Sequence, residues 1–177
     1  MAGVDPSRNP EPRRPRVDEL GALLAIEQRA GQRLQGHVAH AVFAGHGLDL
    51  PTLQAGLQRG LLWVIGYGED DIAGYLLAGE LCGEFHVLQM DVDPAQARRG
   101  LGRALLRHAL ATAREAGYRT AVLTTLSDVP WNAPFYASEG FAPVPAEAWG
   151  AGLQAVMAEE AALGFPMHLR VAMRRGL

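Results

Sequence analysis

The chain has 177 residues, 49% of them apolar and 20% charged, with a formal net charge of -3. That length suits one domain with a sizeable core, and the slightly acidic balance argues against nucleic acid or an anionic membrane surface as the main partner. The single cysteine, Cys82, excludes an internal disulfide framework and fits a reducing cytoplasm, where it reads as a small strand residue.

Residues 1–12 are rich in Pro and Arg and read as a disordered lead-in, with no apolar stretch of signal-peptide or transmembrane length. A single domain is expected over residues 13–177. Arg14 to Val17 suggests a short edge strand. Asp18 then stands where a helix cap would, before Leu20, Leu23, Leu24 and Ile26 at helical spacing, and that helix should reach about Leu34. Residues 36–47 hold His37, His40 and His46 without clean periodicity. No cysteine or carboxylate partner lies near these histidines, so no metal site is expected. Pro51 opens a second helix carrying Leu53, Leu57 and Leu61.

Leu62–Gly66 and Ile72–Ala78 are apolar runs separated by Gly-Glu-Asp-Asp, a hairpin pattern. A strand follows over Glu84–Val92, where period-two alternation sets Glu84, His86, Leu88, Met90 and Val92 on one face and Gln89 on the other. A helix is expected over Gly100–Ala116, stopped by Gly117, and a buried strand over Ala121–Leu126. Asn132–Ser138 reads as a short helix capped by Asn132 and ended by Gly140. A helical insert over Ala146–Leu163 and a closing strand over Met167–Met173 complete the chain. This order of elements describes an α/β (α+β) mixed sheet with helices on both faces.

The segment joining the Glu84–Val92 strand to the next helix is basic and spaced by glycines. A helix's first turn leaves backbone N–H groups without intrahelical partners, and the macrodipole adds partial positive charge, so a phosphate can bind there through the main chain. Gly100 and Gly102 permit close approach, while Arg98, Arg99, Arg103 and Arg107 add charge around the turn. A Walker-type loop would end in Gly-Lys-Ser/Thr, whereas Arg103-Ala104 follows Gly102. A dinucleotide fingerprint would place a third glycine at Leu105. Neither pattern fits.

The stretch Met90-Asp91-Val92-Asp93-Pro94, followed by Arg98-Arg99-Gly100-Leu101-Gly102-Arg103-Ala104-Leu105-Leu106, resembles the acetyl-CoA-binding motif of the GNAT superfamily of N-acetyltransferases. There a strand ending Val-x-Pro precedes a Gln/Arg-x-x-Gly-x-Gly/Ala turn, and the family's Gln/Arg falls on Ala97 here, between Gln96 and Arg98. Trp131-Asn132-Ala133-Pro134-Phe135-Tyr136-Ala137-Ser138-Glu139-Gly140-Phe141 is similar to the family's second signature, Asn-x-x-Phe-Tyr-x-x-x-Gly-Phe. The resemblance spans residues 14–175 and implies a mostly antiparallel central sheet with a splayed pair of strands that admits acetyl-CoA.

The resemblance also implies roles. Main-chain groups of Met90, Asp91 and Val92 would pair with the pantetheine arm and polarise the thioester carbonyl. Arg98, Arg99, Gly100, Leu101, Gly102 and Arg103 would hold the pyrophosphate, and Asn132 and Phe135 would lie on the cofactor arm. Tyr136 matches the tyrosine that gives a proton to the departing thiolate; a phenol with a pKa of about 10 keeps that proton at neutral pH. The other reading of Tyr136 is an aromatic core residue packed on Phe135 and Phe141. His86 is the leading base for the amine, since its unperturbed pKa near 6.5 suits the task, and Glu84 is the runner-up; the other reading is a relay through water with His86 a hydrogen-bonded strand residue near the pocket.

The implied reaction is acetyl transfer from acetyl-CoA to a primary amine of a small molecule, a peptide or a protein, without metal. The alternative is an acyl-CoA-binding sensor of the same fold that lacks the chemistry. The acceptor pocket would draw on residues 34–50, 70–72 and 149–160, and Glu147, Glu159 and Glu160 either attract a cationic amine or form a solvated acidic face. A homodimer, common among relatives, is left open by the sequence.

Overall fold

The computed structural model describes residues 10–68 and 70–177. Most of the predicted lead-in therefore lies outside the described residues. Six strands form one sheet in the order β1-β2-β3-β4-β6-β5. They are β1 (Leu62–Ile65), β2 (Gly74–Leu81), β3 (Glu84–Val92), β4 (Thr120–Leu126), β5 (Ala142–Pro143) and β6 (Arg170–Gly176). The helices are α1 (Leu20–Gly31), α2 (His40–Gly45), α3 (Leu50–Gln58), α4 (Leu101–Glu115), α5 (Ala133–Ser138) and α6 (Ala151–Leu163). Pairing is antiparallel for β1–β2, β4–β6 and β5–β6, and parallel for β3–β4. The mixed, mostly antiparallel sheet with flanking helices is the architecture expected from the sequence. The chain divides into two compact units, one reaching to Ala78 and resuming over Gln89–Ala109, the other made of Gly79–Leu88 and Leu110–Leu177.

In the first unit, Leu20, Leu23 and Ile26 of α1 and Leu53 of α3 bury against Leu62, Val64, Tyr75 and Leu77, which share one face of the β1–β2 pair. Each such side chain contributes about 1.5–3 kcal/mol when fully buried. The opposite face meets the first turns of α4, with Trp63 edge-on to His108 at 6.2 Å. Gly74 sits where a Cβ would lie 2.9 Å from the Asp91 carbonyl oxygen and 3.4 Å from Leu105 Cδ1, so that position has no room for a side chain.

Several predicted boundaries move in this unit. Arg14–Val17 is not a strand: Arg13 alone bridges Val64, and a 3-10 turn over Val17–Glu19 follows. Pro15 has no N–H to extend a ladder, and the Arg16 N–H donates instead to Glu19 at 2.7 Å. Asp18 lies inside that turn and does not cap α1; Glu19 stands at the α1 N-cap without a side-chain cap bond, its carboxylate turned back to the Arg16 N–H. The predicted extent to Leu34 is met by α1 plus a 3-10 turn over Gln32–Leu34. Asp49 caps α3 by accepting from Thr52 N–H at 2.9 Å, and Leu61 falls beyond the helix end.

In the second unit β4 is central, with seven register pairs to β6 and only two, Phe85↔Ala121 and His86↔Val122, to β3. Helix α6 covers one face through Leu153, which packs with Val122, Val144 and Ala172. Phe85 meets Tyr118 edge-on at 5.7 Å. The predicted closing strand starts late: Met167–Leu169 is a 3-10 turn after Pro166, and β6 runs on through the arginines to Gly176.

Candidate active site

In the first unit, the end of β3 is tied down by the Asp93 N–H, which donates to the Ala73 carbonyl at 2.7 Å. The Asp93 carboxylate accepts from Ala95 N–H and from Arg29, whose Nη2 lies 2.6 Å away. Hydrogen bonding to Arg29 holds the Asp93 carboxyl below its ordinary range. The chain then turns back through two left-handed residues, Arg98 at φ 64° and Gly100 at φ 80°. Helix α4 begins at Leu101, and the first main-chain bond of that turn runs from Ala104 N–H to the Gly100 carbonyl at 3.0 Å. The N–H groups of Leu101, Gly102 and Arg103 therefore precede the helical ladder. Arg98, Arg99, Gly100, Arg103 and Arg107 are all exposed around this turn, and Arg99 also lies over the Tyr67 ring at 5.6 Å.

These residues fit a polyphosphate. The amides are pre-set by a left-handed turn, a fifteen-residue helix aligns its dipole on them, and the cations surround them at the surface. Beside the turn, Gln96 Oε1 is buried and has no partner among the described residues, an acceptor of the kind that a ligand or an ordered water satisfies. Gln96 thus stands next to Ala97, the position at which the resemblance expects a polar side chain.

At the end of β3 the Asp91 carboxylate accepts from the Tyr75 hydroxyl at 2.8 Å and from Gln89 Nε2 at 2.7 Å. Burial raises the Asp91 carboxyl, and the same cause raises the Tyr75 phenol well above its usual value. Glu27, raised first by burial and further by the negative charge of Asp91, accepts the Leu48 N–H at 3.0 Å. Asp91, expected to contribute main-chain groups, therefore also anchors a buried polar side-chain cluster.

In the second unit, Tyr136 lies on α5 and is 8% exposed, edge-on to Phe135 at 5.2 Å and to Phe141 at 5.9 Å. Asn132 occupies the N-cap position but makes no side-chain cap bond, which corrects the capping expectation and leaves its amide uncommitted to the helix. His86 is 7% exposed on β3. Burial lowers its pKa, and the charges of Glu160 and Glu84 partly offset that. Glu84 is held by Arg174 Nε at 2.7 Å and Nη2 at 2.9 Å and by the Thr120 hydroxyl at 2.8 Å. Those bonds, Arg174 first, depress the Glu84 carboxyl.

A family model described as an acetyltransferase (GNAT) domain matches residues 58–143, which include both motifs and the turn just described. Residues 58–143 are thus similar to a GNAT acetyltransferase domain. Its fold superposes on the PaiA N-acetyltransferase of Thermoplasma acidophilum, solved with coenzyme A, with a TM-score of 0.72 at 12% identity over 96% of this chain and 100% of that one. It also matches the ribosomal-protein-S18-alanine N-acetyltransferase of Escherichia coli (TM-score 0.65, 18% identity, 95% and 94% coverage). A third match is Rv2747 of Mycobacterium tuberculosis, solved with CoA and NLQ (TM-score 0.62, 19% identity, 94% and 98% coverage).

Of the matched residues, the first unit holds Met90, Asp91, Val92 and the whole Arg98–Arg103 turn, and the second holds His86, Glu84, Asn132, Phe135 and Tyr136. Of the acidic residues expected at the acceptor side, Glu147 and Glu159 are exposed, but Glu160 is not a surface charge. It is paired with Arg170 at 2.8 Å through both guanidinium donors, and it accepts from the Thr124 hydroxyl. The loop histidines make local bonds: His37 Nδ1 accepts from Ala39 N–H, and His46 Nδ1 lies 3.0 Å from the Val42 carbonyl. Among the described residues no helix is long and apolar enough to cross a membrane.

Proposed function

We propose that this GNAT domain transfers an acetyl group from acetyl-CoA to a primary amine of a small molecule or peptide, by direct attack with both substrates bound. The observation that carries this reading is the doubly left-handed, arginine-lined turn at the start of α4, which offers main-chain donors and positive charge to a pyrophosphate. Bound there, acetyl-CoA supplies an activated acyl group. The main chain of Met90–Val92 would orient and polarise its carbonyl.

His86, rather than Glu84, is the base in this reading. A buried imidazole whose pKa is lowered is neutral at physiological pH and has a lone pair to offer, whereas Glu84 spends its oxygens on Arg174 and Thr120. Two protons leave the ammonium of the acceptor. The first passes to His86 and on to solvent, which frees the nitrogen lone pair to form the C–N bond as the C–S bond breaks. Tyr136 gives its phenolic proton to the departing thiolate, and the second amine proton restores the phenol.

Tyr136→Phe tests the scheme: turnover should fall on the order of a hundredfold, the usual scale for one general acid, with acetyl-CoA affinity unchanged by calorimetry. Unaltered turnover would remove Tyr136 from the reaction. Acetyl-CoA binding without thiol release across an amine panel would instead mark the chain as a sensor.

A further inference from the structure

Helix α6, the insert between β5 and β6, is fixed to the sheet by more than apolar contact. Gly152 lies so close to β2 that a Cβ there would be 2.8 Å from Leu81 Cγ, and Leu153 enters the apolar cluster on β4 and β6. One turn from the helix end, Glu160 meets Arg170 in a two-pronged pair whose side chains are 12% and 6% exposed, with the Thr124 hydroxyl joined to both.

The register shows what this pair stands beside. His86 is opposite Val122 on β4, and Thr120 and Thr124 lie two residues to either side of Val122 on the same face. Thr120 belongs to the Glu84–Arg174 pair and Thr124 to the Glu160–Arg170 pair. His86 thus occupies the row between two clamped carboxylates. One is supplied by its own strand and is half-buried; the other is supplied by the insert and is nearly sealed from water. Seen from His86, the charged groups on the neighbouring elements are Glu84 on β3, Glu160 on α6, and Arg170 and Arg174 on β6, and of the two carboxylates Glu160 exerts the larger influence.

We infer that Glu160 is a positioning residue for His86: the insert helix carries a carboxylate to the imidazole and Arg170 and Thr124 hold it there, so that the proton taken from the acceptor is stabilised on His86. A carboxylate in a water-poor site acts on a neighbouring imidazolium with little screening. Its being fixed by two guanidinium donors and a hydroxyl avoids reorganisation when the proton arrives. The inference rests on His86 serving as the base, and the test separates the two.

The experiment uses the full chain and the variants Glu160→Gln and His86→Gln, with two readouts: the NMR titration midpoint of the His86 ring, and the pH profile of kcat/KM. In Glu160→Gln the midpoint and the acid limb of the profile should both move to lower pH by about one unit, the scale of a single nearby charge. A folded Glu160→Gln whose His86 midpoint stays put overturns the inference, whatever its activity. If the midpoint moves while the acid limb does not, and His86→Gln keeps that limb, His86 is not the base and the positioning role falls with it. Because Glu160→Gln leaves Arg170 buried without its counter-charge, the double variant E160Q/R170Q is measured beside it. That variant should shift the midpoint in the same direction by less, and a midpoint equal to that of the parent protein would overturn the inference.

Discussion

Gly100 offers a clean perturbation, because a Cβ added there would meet no heavy atom within 4 Å, so the only penalty of Gly100→Ala is conformational. At φ 80° an alanine costs roughly 1–2 kcal/mol in the left-handed region, and its stiffer unfolded chain returns a fraction of that, leaving about 1 kcal/mol. If the turn keeps its shape, the cost appears in folding as a lower urea midpoint with acetyl-CoA affinity unchanged. If the turn relaxes, the amides of α4 lose their alignment and the cost appears as a Kd raised about fivefold, since 1.4 kcal/mol corresponds to a factor of ten. Urea titration and calorimetry on the same preparation measure both terms, which should sum to about 1 kcal/mol. Gly102→Ala is the comparison: its Cβ would be 3.6 Å from Val92 Cγ2, an ordinary contact, and helix propensity favours alanine, so its stability should hold or rise. Should Gly100→Ala leave midpoint and Kd both untouched, the left-handed turn is not what shapes the phosphate cradle.

Arg98→Gly should keep or raise stability by up to about 1 kcal/mol, because glycine is at ease at φ 64°. The lost cation should weaken acetyl-CoA binding and make it less sensitive to salt, as read by calorimetry at several ionic strengths. Glu19, whose carboxyl is pulled down to about 2 chiefly by hydrogen bonding to Arg13, contributes stability that is complete above its ordinary value of about 4.5 and is lost as pH falls toward 2. Arg13 is 36% exposed, so solvent screening reduces that contribution to about 1–2 kcal/mol. Glu19→Gln should therefore lower the urea midpoint at pH 7, with the difference vanishing near pH 2. Asp91→Asn keeps an acceptor for Tyr75 and Gln89 and removes the charge that raises Glu27. It should leave stability at pH 7 equal or higher and move the Glu27 titration, followed by NMR, to lower pH. A marked loss of stability would show that the Asp91 charge is needed by the fold.

The elements whose pattern is set locally were legible in the sequence. The span of β3 and the start of α4 follow from an apolar run meeting glycines and a helical repeat, and the structure places both there. What the sequence concealed is long-range and polar. Arg174 looks like the end of a strand when residues are sorted into apolar and charged, yet it is absorbed by Glu84, 90 residues away in the chain, and β6 continues through it. The same blindness leaves Glu160 open between an acceptor-side charge and a solvated face, because a helix rich in alanine does not declare which side docks, and only Thr124 and Arg170 reveal it. Tyr75 and Glu27 give no local sign that they converge on Asp91, since the pairing is made by strand neighbours and a helix crossing rather than by spacing. Among the candidate site residues, the turn and Tyr136 were named by motif, whereas the constraints on His86 became visible only in three dimensions.

The chain's one thiol also sits where Gly152 closes on the β2–β3 turn: a Cβ at Gly152 would come within 3.1 Å of Cys82 Sγ, and Cys82 is exposed. The molecule thereby carries its own reporter of whether the insert helix is seated. A bulky maleimide attached to the exposed Cys82 competes for the space that the first turn of α6 occupies, so the stability lost on attachment reads how firmly that turn is held.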